Sequence, residues 1–147
     1  MSVDLWFLVA FVLVWIAGPG TQALFLIAPK LHHKIGLSEE GTFKSEFRWF
    51  LLDERAIATA DMTQFVSGVA FIWLALLGNQ SGLIYGVYAC ACYVYVSVLA
   101  VSRWYLLRQN QLSPLATGQL PFYVSYMLIL NVFGLYGLYY LWGLALS

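Results

Sequence analysis

The chain is a succession of long apolar stretches separated by shorter polar segments. Four of these stretches have the roughly 20 residues needed to cross a hydrocarbon core about 30 Å thick. They are apolar on every side and do not alternate between polar and apolar positions, which favours helices over the strands of a barrel. The pattern predicts an all-α fold, an integral membrane four-helix bundle in one domain, with spans near 5–28, 56–77, 83–106 and 120–145.

Three local features add detail to these spans. Residues 1–4 contain no Lys or Arg, so we interpret the first span as a retained helix and not as a cleavable signal peptide. Pro19, inside the run 18–20, lacks a backbone N–H, and we expect a kink there. Aromatic residues recur at helical spacing in 43–55, which predicts a helix that lies at the interface or runs directly into the second span.

Composition narrows the classes of protein that the chain can belong to. Sixty-two per cent of the residues are hydrophobic and ten per cent are charged, whereas soluble domains carry about 25% charged residues. Such a chain cannot cover a water-exposed surface, which excludes a soluble globular enzyme. The formal net charge is zero, and nucleic-acid binding requires a basic excess that displaces counterions. The partner that composition indicates is therefore the lipid bilayer.

The positive charges are all placed on one side of the predicted bundle. Five lie between the first two spans, and two lie at or just after the end of the third. The positive-inside rule then predicts that the loops 29–55 and 107–119 are cytoplasmic and that both termini are on the other side. The seven positions are Lys30, Lys34, Lys44, Arg48, Arg55, Arg103 and Arg108.

Asp61 is the most informative polar residue, because a carboxylate inside a membrane costs several kcal/mol unless it is satisfied. It lies about one and a half turns into the second span and shares a helix face with Glu54, with Gln64 close by. One interpretation is a polar site between helices. The other is a carboxylate that pairs with Arg55 or Arg103 and only fixes topology. The similar depth of Asp61 and Arg103 motivates the hypothesis of a direct pair, with a snorkelling Arg103 as the alternative.

The remaining candidate chemistry is limited. His32 and His33 are adjacent and are the only histidines, so we predict no metal site. All ten tyrosines follow residue 84. They form stripes on spans three and four, which would either line the wall of a site for a lipophilic small molecule or build a helix–helix seam. The stripes are Tyr85, Tyr88, Cys92 and Tyr95, and Tyr123, Tyr126, Leu130 and Phe133.

This layout resembles the MAPEG superfamily, the membrane-associated proteins in eicosanoid and glutathione metabolism. Glu54-Arg55 and the segment from Ala60 to Val66 are similar to the family's signature at the start of span two. Asp61 stands where the family has Asn, and Gln64 where it has Glu. The segments 103–105, 111–115 and 119–121 are similar to its third loop and the start of span four.

The resemblance implies an enzyme that acts on lipophilic substrates, a homotrimer with sites between subunits, and glutathione as the cofactor. Arg103 and Tyr105 would be the catalytic residues, and Arg55, Asp61 and Gln64 would bind the cofactor. The chain lacks the family's second Arg, since Thr59 precedes Ala60, and it has Val98 near another family Arg. These departures favour the alternative, a non-enzymatic helical subunit of a larger membrane complex.

Overall fold

The computed structural model describes residues 3–38, 42–113 and 118–146 and contains helices but no strands within them. The predicted all-α architecture is confirmed. A π-helical segment, Ile16–Gly20, joins α1 to α2, and a 3-10 turn, Ser45–Phe47, leads into α4. The helices are α1 (Leu5–Trp15), α2 (Thr21–Ile27), α3 (Pro29–Lys34), α4 (Arg48–Leu76), α5 (Gly82–Gln109) and α6 (Leu120–Leu146).

Four of the described helical segments are long and apolar enough to cross a membrane, which is compatible with an integral membrane protein. The second begins earlier than its predicted start at residue 56, because the aromatic helix predicted over 43–55 runs directly into it. The first, third and fourth agree with the predicted spans to within a few residues. The four segments are Leu5–Ile27, Ser45–Leu76, Gly82–Gln109 and Leu120–Leu146.

The first span changes its helical geometry at the predicted position. Pro19 lies inside the π-helical segment, which accommodates a residue without a backbone N–H. The hydroxyl of Thr21 donates to the carbonyl oxygens of Ala17 and Gly18, at 2.9 and 2.7 Å. Side-chain donors of this kind supply hydrogen bonds to backbone carbonyls where a helix is interrupted.

The core lies between the helices and is mainly aromatic. Phe11, Phe71 and Tyr93 are almost completely buried, and the rings of Phe11 and Phe71 meet edge to face with centroids 4.6 Å apart. The α5–α6 pair packs closely at Gly134, where an added Cβ would lie 2.8 Å from the carbonyl oxygen of Cys90. Apolar side chains on the outer faces are exposed, as expected for surfaces in contact with lipid.

Candidate functional site

A cavity of about 240 Å³ lies between the helices at one end of the bundle. We call this the long-loop end, where the first span ends, α4 begins, α5 ends and α6 begins. An apolar cavity of about 150 Å³ is large enough to hold benzene, so this one can hold a larger molecule. Its apolar lining consists of Ala17, Phe25, Leu37, Ile57, Val96, Leu99, Ala100, Phe122 and Met127.

An ion-pair cluster closes one side of the cavity. The guanidinium of Arg103 donates from Nη2 to Oδ2 of Asp53, at 2.5 Å, and from Nη1 to Oε1 of Glu54. It also lies over the ring of Phe50, 4.5 Å from the centroid. Arg103 and Glu54 line the cavity, whereas half of the Asp53 side chain is exposed. The cluster therefore joins α4 to α5 and occupies both Nη groups of the guanidinium.

Asp61 lines the same cavity but does not pair with Arg103. The antiparallel register of α4 and α5 explains this difference from our hypothesis. The contacts of Gln64 with the carbonyl of Ala89 and of Glu54 with Arg103 fix this register. At 1.5 Å per residue, Asp61 lies about 10 Å further along α4 than Glu54. Within the described residues, no hydrogen bond or ion pair reaches the Asp61 carboxylate.

The short helix α3 and the turn after it cover another side of the cavity. Gly36, with a φ of 81°, ends α3, and the N–H of Leu37 bonds to the carbonyl of His32. Ser38 thereby lies next to His32, and its Oγ is 2.7 Å from Nδ1 of the ring. Burial, and secondarily the charge of His33, lower the pKa of His32 below its usual value. The His32 ring is therefore neutral at pH 7.

Tyrosine and tryptophan side chains form much of the remaining polar lining, to which Thr21 and Gln22 also belong. Tyr126 donates to the carbonyl of Ala17 at 2.5 Å, and Tyr123 to that of Leu37 at 3.4 Å. Trp104 is buried against Tyr123. The predicted stripe on span four thus faces the cavity through Tyr123 and Tyr126. The stripe on span three does not, since Tyr85, Tyr88 and Tyr95 are exposed on the outer surface.

Three of the predicted site residues lie outside the cavity lining. Gln64 is buried and bonds across to α5. Arg55 and Tyr105 are exposed on the outside of the bundle, with 67% of Tyr105 accessible. Of the five, only Arg103 and Asp61 line the same cavity. Pro114 and Leu115, which belong to the resemblance to the third loop, lie outside the described residues.

Several cavity residues were not singled out from the sequence. Ser38, Phe25 and Met127 come from three separate segments, and their side chains are ordinary for a loop or an apolar span, so no local pattern marks them. Glu54 could be inferred, because it shares a helix face with Asp61.

Neither a metal site within the described residues nor a match to a known protein adds to this picture. Within the described residues, no group of three or more His, Cys, Asp or Glu side chains could hold a metal ion. Glu39 and Glu40, the carboxylates that follow the two histidines in the chain, lie outside those residues. Comparison with protein-family models, curated proteins and solved structures found no match for the chain.

Proposed function

We propose that this chain is a multi-pass membrane protein that binds a compact lipophilic small molecule in the cavity between its spans. The observation that carries the proposal is the cavity itself, which has mainly apolar walls and a few polar groups at defined positions. Binding sites for small molecules have this composition, and bundles often form them between their helices. In a membrane, a lipophilic ligand can reach such a site from the bilayer.

Transfer of glutathione, which the family resemblance implies, has less support from the geometry. Glutathione carries two carboxylates, and clasping them requires several positive charges within reach. Among the residues that the structure describes, Arg103 is the one Arg or Lys that lines the cavity, and its charge is already paired with Asp53 and Glu54. We therefore propose ligand binding as the first candidate function. Glutathione use, the homotrimer and the role as a non-enzymatic subunit of a larger membrane complex remain predictions.

Competition photolabelling tests the proposed site. The purified protein in mild detergent is labelled with a diazirine derivative of 4-phenylbutanol, with and without excess 4-phenylbutanol. We expect competable adducts in the peptides that contain 96–104 and 120–127, because these segments line the cavity. Adducts at exposed residues such as Tyr95 should not be competable. If every adduct resists competition, the cavity does not bind the probe and the proposal is wrong.

A mass measurement combined with a glutathione titration separates the other roles. A self-contained trimer that binds glutathione would support the transferase. Purification only together with other chains would support the accessory subunit. A self-contained particle that binds 4-phenylbutanol but not glutathione would support the function proposed here.

A further inference from the structure

We infer that the cavity prefers a positively charged ligand, a compact lipophilic amine, with the carboxylate of Asp61 as its counter-ion. This inference rests on the proposed function and specifies the class of ligand. It follows from three independent features of the cavity: its balance of charge, the donor direction of the Thr21 and Tyr126 hydroxyls, and the size and aromatic character of its walls.

The charged groups in and beside the cavity are predominantly acidic. Glu54, Asp61 and Arg103 line it, and Asp53 contacts Arg103 from outside. Three carboxylates thus face a single guanidinium, whose two Nη groups already donate to two of them. The third, on Asp61, has no partner among the described residues. An anionic ligand would meet net repulsion here, whereas an ammonium group would supply the missing charge.

The hydroxyl groups of the inner cavity also favour a ligand that donates hydrogen bonds. Tyr126 donates its proton to the carbonyl of Ala17. Thr21 donates to the carbonyls of Ala17 and Gly18. Both oxygens therefore present only acceptor lone pairs to a ligand. An ammonium group has three donors and no acceptor, so it matches this arrangement, whereas a carboxylate has none of the required donors.

The walls fit the apolar body of such a ligand. The lining includes the aromatic side chains of Phe25, Trp104, Phe122 and Tyr123, and a cation close to an aromatic face is further stabilised. By proportion with benzene in a cavity of about 150 Å³, the observed volume suits a ligand of roughly 10 non-hydrogen atoms. A phenyl ring with a short alkylamine chain has this size.

Three matched probes test the inference by calorimetric titration of the purified protein in an uncharged detergent at pH 7.5. The probes are 4-phenylbutylamine, 4-phenylbutanol and 4-phenylbutyrate, which share one apolar body and differ in charge. We expect the amine to bind at least about tenfold more tightly than the alcohol, and the carboxylate to bind most weakly. Asp61→Asn should abolish the preference for the amine. Glu46→Gln, which removes an exposed charge outside the cavity, should leave the preference unchanged.

The outcomes separate the two proposals. If the alcohol binds but the wild-type protein does not prefer the amine, or if Asp61→Asn keeps that preference, the charge inference is wrong and the proposed function stands. If none of the three probes binds, the proposed function itself fails. The ranking of the three probes on the wild-type protein decides the inference even if Asp61→Asn does not fold.

Discussion

Arg103 is the residue that connects the two central helices at the long-loop end. Its guanidinium contacts carboxylates on consecutive positions of α4 and the ring of Phe50, and only 16% of its side chain is exposed. Loss of one partner from a largely buried pair leaves an uncompensated charge, which costs more than the intact pair contributes. The same residue therefore matters for stability as well as for the shape of the cavity.

Replacement of this side chain should destabilise the protein. We expect Arg103→Ala to lower the free energy of unfolding by about 2–3 kcal/mol, less than for a fully buried pair because Asp53 is half exposed. Denaturation of the purified protein, followed by circular dichroism, measures the change. Arg108→Ala is the matched control, since Arg108 is exposed at the end of the same helix. Equal effects of the two substitutions would contradict the role of the cluster.

His32 should make stability depend on pH. Burial holds the pKa of the folded-state ring below its ordinary value of about 6.5, so the unfolded chain binds the proton more readily. The free energy of unfolding that the neutral His32 ring contributes is therefore fully present above about pH 6.5. It is lost as the pH falls through the folded-state pKa of the ring. Thermal unfolding between pH 5 and 8 measures it.

The corresponding variants separate His32 from other titrating groups. His32→Gln should remove this part of the pH dependence, because glutamine does not titrate. His33→Gln should retain most of it, because burial, the main cause of the lowered His32 pKa, is unchanged. A pH dependence that persists unchanged in His32→Gln would show that the effect comes from another group.

At the scale of the helices, glycine determines how closely α5 and α6 approach each other. An added Cβ at Gly134 would lie 2.8 Å from the Cys90 carbonyl oxygen, which is a backbone atom that cannot turn away. Small residues allow such close packing between helices in membranes. The approach aligns Asn131 with Ser97, whose side chains form a hydrogen bond of 2.9 Å.

Gly134→Ala should therefore force the two helices apart. We expect it to lower the free energy of unfolding by about 1–3 kcal/mol, the typical cost of overpacking a core. Gly143→Ala is the control on the same helix, since an added Cβ there meets no atom within 4 Å. Both variants are compared by the same denaturation measurement. A stability of Gly134→Ala equal to that of the control would mean that the helices can adjust without cost.

The sequence predicts the helices well but their mutual register poorly. Hydrophobicity and length locate the four spans, because each membrane-spanning helix must by itself be long and apolar enough to cross the hydrocarbon core and must pair its own backbone groups. Register depends on packing between helices that lie far apart in the chain, such as Gln64 with Ala89. This is why the hypothesis of an Asp61–Arg103 pair named the wrong carboxylate: Arg103 contacts Asp53 and Glu54 instead. It is also why the sequence does not show that Gln64 bonds to the carbonyl of Ala89 on α5 and lies outside the cavity lining.

At the scale of the whole molecule, the polar chemistry and the cavity lie at the same end. The long-loop end contains the cluster around Arg103, and every Lys and Arg lies on the loops or helix ends next to it. If the four apolar helices span a membrane, a cavity at this end combines access from the bilayer with polar groups close to the aqueous boundary. The positive-inside rule predicts that this end is cytoplasmic.

Labelling of introduced cysteines tests this topology. In a background with Cys90 and Cys92 replaced by alanine, we expect Gln80→Cys to react with a membrane-impermeant maleimide on intact cells. Gln109→Cys should react only after the cells are opened, because it lies next to the positively charged third loop. The opposite labelling pattern would contradict the predicted orientation.

The most direct test of the ligand cavity is whether filling it abolishes binding. Calorimetric titration with 4-phenylbutanol compares the wild-type protein with Ala100→Phe, whose added ring would occupy the cavity, and with Ala91→Phe, which places the same ring on the exposed face of α5. We predict saturable binding to the wild type and to Ala91→Phe, and loss of it in a folded Ala100→Phe. Unchanged binding to Ala100→Phe would contradict the account.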